Sequence, residues 1–376
     1  RDTDRSRGLG DVYKRQLSQG RFHMLDLARE LDHTGFDIKF YSFIPTSRCI
    51  KFGLQKKCIV SLFGIIAPFL ILRRIFPKLS WIHIKVQDFI MGIFMRKCDI
   101  CISLTGYVYA PRIAQKKGAI IIMERGSKHI LEQKKILEKN PHKKNEAIPN
   151  RNIKCNLKAY QFANFISVAS QHVKESFLLH QYPENRIFVN PYGVDLSMFK
   201  PLPNIPKKYD VIMVGGWGYE KGCDLIVEAI RKTNYSFIHV GSIKDVDFPQ
   251  EKNFTHIDPV DQSKLIEYYN QAKVFILPSR QDGFGMVLSQ ALACNLPIIG
   301  SNNCGAPDLK KMVELPEYIT IIKDYTADAI VTAIHTAIKN YEQLGERIYA
   351  GNAIENLTWE AYGKRYANFL HKIIKQ

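Results

Sequence analysis

Between Tyr209 and Ser301 the chain alternates strand and helix periods so regularly that few folds can accommodate it. "YDVIMVGG", "YSFIHVGS", "KVFILPS" and "LPIIGS" are short, nearly continuous apolar runs. Between them lie "KGCDLIVEAIRKT", "DQSKLIEYYNQA" and "GMVLSQALACN", whose apolar residues recur at helical spacing. Strands without a polar alternate face are buried on both sides, so the pattern predicts a parallel sheet covered by helices. A late helix, "TADAIVTAIHTAIKN", and an aromatic, amphipathic end, "TWEAYGKRYANFLHKIIKQ", follow.

The preceding half carries the same alternation. A helix from Arg21 to about Asp32 ends before Gly35 and the strand "DIKFYSFIP". "ICISLTG", "AIIIMER", "NFISVAS" and "RIFVNPYGVD" are further strands, and "YVYAPRIAQKKG" is a helix closed by Gly118. Glu132–Lys158 reads as a charged helix plus a mobile, lid-like loop. Arg1–Gln16 lacks periodicity, and "DVYKRQ" matches what a transposon-based sequencing adapter spells in one frame. We read 1–16 as foreign and expect the first strand to be missing. Pro201, Pro203 and Pro206 mark a linker. The expected architecture is α/β, with two doubly wound, Rossmann-like domains (17–203 and 204–357) facing across a cleft, then a final helix (358–376).

Charge divides at the same linker. Leu17–Lys200 holds 29 Lys+Arg against 13 Asp+Glu, whereas Pro201–Gln376 holds 19 against 20. A basic first domain favours polyanions: anionic headgroups, phosphorylated substrates or nucleic acid. The most apolar run, Cys58–Leu72, is broken by Pro68 and stops at Arg73-Arg74. It is shorter than the roughly 20 residues that span a bilayer, leaving a core helix or one lying on a membrane between basic flanks. The eight scattered cysteines suit buried thiols in a reducing compartment. Cys98 and Cys101, the only close pair, sit in a strand and point to opposite faces, so we expect no metal site there.

In an open parallel sheet, ligands bind beyond the carboxyl ends of the strands. Two such ends carry glycine turns before helices: "VGGWGYEKGCD", with Gly215, Gly216 and Lys221, and "DGFG", with Asp282, Gly283, Phe284 and Gly285. Glycine lets backbone N–H groups approach an anion, and a helix start favours negative charge. Two turns and a lysine point to a diphosphate. Asp282 and Gln290 flank the second turn, and a ligand with hydroxyls on both sides of its phosphates, such as a sugar nucleotide, suits them.

Ser279–Asp308 resembles the signature of retaining glycosyltransferase family 4, with its GT-B fold. That signature is an acidic residue before Gly-Phe-Gly, a glutamate eight positions on, an Ala-x-Gly-x-Pro turn and a Gly-x-Pro-acidic segment. Here stand Asp282, Gly283-Phe284-Gly285, Gln290, Ala293-Cys294-Asn295-Leu296-Pro297 and Gly305-Ala306-Pro307-Asp308. "NPYGVDLSMFKP" and "VGGWGYEKGCDLIVEA" are also similar, and the last helix resembles one that crosses back to the first domain.

The resemblance implies a metal-independent, cofactor-free enzyme that moves a sugar from a nucleotide diphosphate to an acceptor hydroxyl with retention. Asp282 would hold sugar hydroxyls and Gln290 the ribose. The N–H groups of Phe284, Gly285 and Met286, with Lys221, would meet the diphosphate. Gly20 matches a loop near the reaction centre. His129 is a candidate sugar or acceptor contact, and Arg125 and Lys128 could meet an acceptor phosphate. The basic half implies an anionic or lipid-linked acceptor at the cytoplasmic face of a membrane, as in polysaccharide, lipopolysaccharide or glycolipid assembly. Nucleic acid is not expected, because it leaves the glycine turns unexplained. Asp282 and Gln290 stand where glutamates are usual, Gly216 where an arginine is, and Asn295 where a glycine is. A weakened relative that only binds sugar nucleotides or an anionic surface is the alternative.

Overall fold

A computed structural model of the chain describes residues 13–18, 23–76, 82–142, 148–344 and 352–375. Two parallel sheets organise it. The first runs through β1 (Tyr13–Ser18), α1 (His23–His33), β2 (Asp37–Ser42), α2 (Thr46–Lys51), β3 (Ile59–Ser61), α3 (Phe63–Ile75), α4 (His83–Phe94) and β4 (Ile100–Leu104). It continues with α5 (Tyr109–Lys116), β5 (Ile120–Arg125), α6 (Ile130–Glu138), α7 (Asn150–Phe162), β6 (Phe165–Val168), α8 (Gln171–Leu178) and β7 (Ile187–Val189). The strand order is β3-β2-β1-β4-β5-β6-β7.

The sequence predicts an empty central position in this sheet. The structure instead places β1 there, paired in parallel with β2 and with β4. Four of its six residues, Tyr13–Gln16, belong to the stretch read as foreign. The physical reason lies in the backbone. A gap between β2 and β4 would leave two rows of N–H and C=O groups unpaired mid-sheet, and an extended segment before α1 satisfies them whatever its side chains. Gly20 lies outside the described residues.

The second sheet comprises β8 (Tyr209–Val214), α9 (Cys223–Arg231), β9 (Phe237–Val240), β10 (Phe254–Ile257), α10 (Gln262–Asn270), β11 (Ala272–Leu277) and α11 (Met286–Ala293). It closes with β12 (Ile298–Ser301), α12 (Ala306–Met312), β13 (Ile319–Ile322) and α13 (Ala327–Leu344). Its order, β10-β9-β8-β11-β12-β13, is doubly wound. The strand interiors are closed to solvent from Val211 to Val214 and from Val274 to Leu277, as their apolar runs require. Asn295 ends α11 at φ 62, the left-handed position that asparagine tolerates better than most residues.

The last helix, α14 (Trp359–Ile374), lies on the first domain. Gly363 rests against Glu30 of α1, Phe369 stacks on Phe188 at 4.1 Å, and Tyr366 donates to Glu124 at 2.6 Å. Its buried stripe of Tyr362, Tyr366, Leu370 and Ile373 repeats at helical spacing. Cys98 and Cys101 are free, buried thiols.

Candidate active site

The second sheet changes direction between β8 and β11. From β8 the chain moves to β9 on one side, and from β11 to β12 on the other. The crevice that opens at such a switch point is where doubly wound sheets bind ligands. Both glycine turns lie at it. Gly285 precedes α11 at φ 79, and a Cβ there would also press on Leu277 and Leu288. In the other turn, the Gly215 carbonyl accepts from His239 Nε2 at 2.8 Å, and His239 Nδ1 lies 2.9 Å from His256 Nδ1.

An ion pair joins the two turns. Lys221 Nζ donates to Asp282 Oδ2 at 2.6 Å, with both side chains 19% exposed. Burial lowers the Lys221 pKa, but Asp282 and Glu220 outweigh it and hold the ammonium above its usual range. Lys221 is therefore a fixed cation. A cavity of about 250 Å³ beside it is lined by Gly216, Gly218, Glu220, Lys221, Lys244 and Asp245. Lys244 is a cation that sequence reasoning does not find. Its side chain occupies the space that a Cβ on Gly216 would need. A second cation thus reaches the turn from the loop after β9.

Gln290 lies in a second cavity of about 170 Å³, with Met286, His23, Asp26, Gly193 and Trp359 among its lining. Gln290 Oε1 accepts from the buried Tyr269 hydroxyl at 2.9 Å, which leaves one lone pair and the amide donors for a ligand. Sequence reasoning also misses His23. Its Nε2 is 3.0 Å from Glu124 Oε2, and it brings the first domain to this cavity.

The cleft is closed. Gly283 lies so close to Gly126 that a Cβ would collide with the Gly126 carbonyl and the Ser127 nitrogen. Gln281 donates to Ser127, Lys128 to Asn303 at 2.6 Å, and His172 Nε2 to the Asp282 carbonyl at 2.7 Å. The Gln171 N–H donates to Asp308 at 3.0 Å.

These contacts carry a pH dependence. Burial, then Lys128, pushes His172 down to about 4, and burial pushes Asp308 up to about 6. His129 and His239 are likewise lowered, mainly by burial, to about 3 and about 4. Below pH 6.5 the unfolded chain takes up histidine protons that the folded chain refuses, so stability falls as pH drops towards 4. Asp308 acts oppositely, because the folded state binds its proton first and gains stability from pH 6 down to 4. Three groups outweigh one. The thermal midpoint should therefore fall on acidification, and Asp308→Asn should raise it at pH 7.5 and steepen the fall. A midpoint that rises steadily from pH 7 to pH 4.5 would contradict this.

The structure reassigns two expected first-domain contacts. The His129 ring is enclosed by Tyr160, Phe177 and His180, and its Nδ1 accepts from the Leu131 N–H to cap α6. Arg125 donates to the Lys128 carbonyl, Asn156 and Gln133, so its guanidinium builds the 126–128 loop rather than waiting for a phosphate. Of the expected N–H donors, Phe284 points at Asp282 Oδ1, 3.4 Å away, whereas Gly285 and Met286 open α11.

Comparison with known proteins fits this geometry. Residues 197–353 match the model of the family described as glycosyl transferases group 1. That stretch, less than half of the chain, is similar to a group 1 glycosyltransferase domain. It contains both glycine turns, the Lys221–Asp282 pair and Gln290. A probable sucrose-phosphate synthase of Thermosipho melanesiensis is 26% identical over 242 residues, 57% of this chain and 56% of that protein. A GDP-mannose-dependent alpha-(1-6)-phosphatidylinositol monomannoside mannosyltransferase of Mycolicibacterium smegmatis is 23% identical over 242 residues, 55% of this chain and 62% of that protein. The chain thus matches less than two thirds of either relative's length. Among solved structures, Anabaena Alr3699/HepE in complex with UDP and glucose superposes with a TM-score of 0.66, covering 95% of this chain and 99% of that one at 13% identity. At that identity the likeness carries the fold, which is GT-B.

Proposed function

We propose that the protein transfers a sugar, with retention, from a nucleotide diphosphate donor to an acceptor hydroxyl in polysaccharide, lipopolysaccharide or glycolipid assembly. The observation that carries this reading is the Lys221–Asp282 pair between two glycine turns at a switch point, with Lys244 on the same cavity. Two cations match the charge that a diphosphate gains as it leaves, so no metal or cofactor is required. The first domain closes over the donor through Gly126, Ser127 and Lys128 and brings the acceptor to it. The bond from anomeric carbon to diphosphate oxygen breaks, a bond to the acceptor oxygen forms on the same face, and the acceptor proton leaves with the diphosphate. Asp282 holds sugar hydroxyls once the diphosphate takes over Lys221, and Gln290 meets the ribose. HepE is described with UDP and glucose, and the mycobacterial relative by a phosphatidylinositol mannoside; both support donor and acceptor of these classes.

The weakened-relative reading rests on Gln290, whose Oε1 is already engaged by Tyr269. Release of nucleoside diphosphate from donor sugars separates the two. An active parent is expected, and Gln290→Glu should change its turnover by less than about tenfold, the worth of making one neutral hydrogen bond charged. A near-zero parent rescued by that substitution would show a binding protein instead.

A further inference from the structure

Helices α3 and α4 pack Ile66 and Met91 inward yet carry large apolar side chains on the outside as well. On α3, Ile71 (64% exposed) and Ile75 (65%) stand one turn apart on the solvent side, Ile65 (48%) is exposed nearer the start, and Ile66 is the only buried residue. On α4, Phe89 (55%) and Ile93 (60%) face out, whereas the polar Gln87 and Asp88 face in. Asp88 is not misplaced, because its carboxylate accepts from the N–H groups of Val108, Tyr109 and Ala110 and caps α5. Phe69 of α3 stacks on His83 of α4, so the two helices pack against each other. Soluble surfaces rarely gather this much large apolar area without covering it.

Charge identifies what covers it. Between Thr46 and Cys98 the chain has ten Lys+Arg and a single acidic residue, Asp88, which is buried. A second copy of the chain would bring the same positive charge against this face, and the two would repel. An anionic lipid surface offers both things the face asks for: apolar depth for the isoleucines and phenylalanines, and negative headgroups for Arg73, Arg74 and Lys85. No helix among the described residues is long and apolar enough to cross a membrane. The face also sits at the working edge of the first sheet. Ile84 of α4 reaches Gly106, just past the carboxyl end of β4.

We propose that the α3–α4 face docks the protein on an anionic bilayer, lying in the plane of the headgroups beside the mouth of the cleft. This docking does not depend on the transfer reaction, and its test is separate. The full chain is sedimented with vesicles of phosphatidylcholine, with or without one third phosphatidylglycerol. Binding is expected only with phosphatidylglycerol, and it should weaken as salt rises from about 0.1 M to about 0.5 M. Ile71→Glu with Ile75→Glu should reduce binding about tenfold or more, by removing apolar depth and adding like charge to the headgroups. Because both positions are exposed, the thermal midpoint and donor hydrolysis in solution should not change. Absent binding to phosphatidylglycerol vesicles, or binding untouched by the double substitution, would overturn the proposal. So would a dimer in sedimentation velocity that the double substitution dissolves while vesicle binding is absent.

Discussion

Lys221→Ala should lower release of nucleoside diphosphate from the donor by roughly 10²–10³-fold, the usual cost of losing one fixed donor aimed at developing charge. The size follows from where the lysine stands. Its ammonium is held 2.6 Å from Asp282 between two glycine turns, in a part-buried position where charge is poorly screened. Asp282 keeps it in place before the donor arrives, so little reorganisation accompanies the reaction. Removing it deprives the leaving group of its fixed cation and leaves the Asp282 carboxylate without its partner. Lys244 lines the same cavity from an exposed, flexible side chain and so cannot replace it. Steady-state release of diphosphate measures the effect, with thermal unfolding as the control for folding. A loss of less than about threefold would mean that the cation is not aimed at the leaving group.

The second large effect belongs to a residue with no side chain. Gly283→Ala places a Cβ against the carbonyl of Gly126 and the nitrogen of Ser127, backbone atoms that no rotamer change can move. The two domains must then stay apart. A displacement of about 1 Å between reacting groups costs on the order of 100-fold in rate, and that loss is expected in turnover. Affinity for the nucleoside diphosphate should change far less, because Lys221, Lys244 and the start of α11 all belong to the second domain. This split between turnover and binding distinguishes a closure defect from a damaged binding site. Parallel loss of both would show that the contact shapes the donor site itself.

Much of the second domain is legible in the sequence, because β8, β9, β11 and β12 and the helices between them keep clean periods. Strands β10 and β13 escape, since at the edges of the sheet they are only partly buried, unlike the equally short but fully buried β9 and β12. The order of strands turns a pair of glycine loops into a site, and sequence alone places them side by side only through the family resemblance. Lys244 was invisible for a related reason: it belongs to the loop after a different strand and meets Gly216 only in the fold. In the first domain, residue type misleads. Arg125 ends β5 and could turn either way; it turns to the Lys128 carbonyl. His129 is spent on a helix start within an aromatic cage. The α3–α4 pair defeats periodicity, because it is apolar on both sides: Ile66 and Met91 are buried while Ile71, Ile75, Phe89 and Ile93 face water, and an aspartate faces in.

The most direct measurement is release of nucleoside diphosphate from a panel of nucleotide diphosphate sugars, compared between the parent and Lys221→Ala. The parent is expected to release nucleoside diphosphate from at least one donor, and the variant to lose nearly all of that release. No binding and no release for any donor at millimolar concentration, or equal release by both proteins, would contradict this expectation.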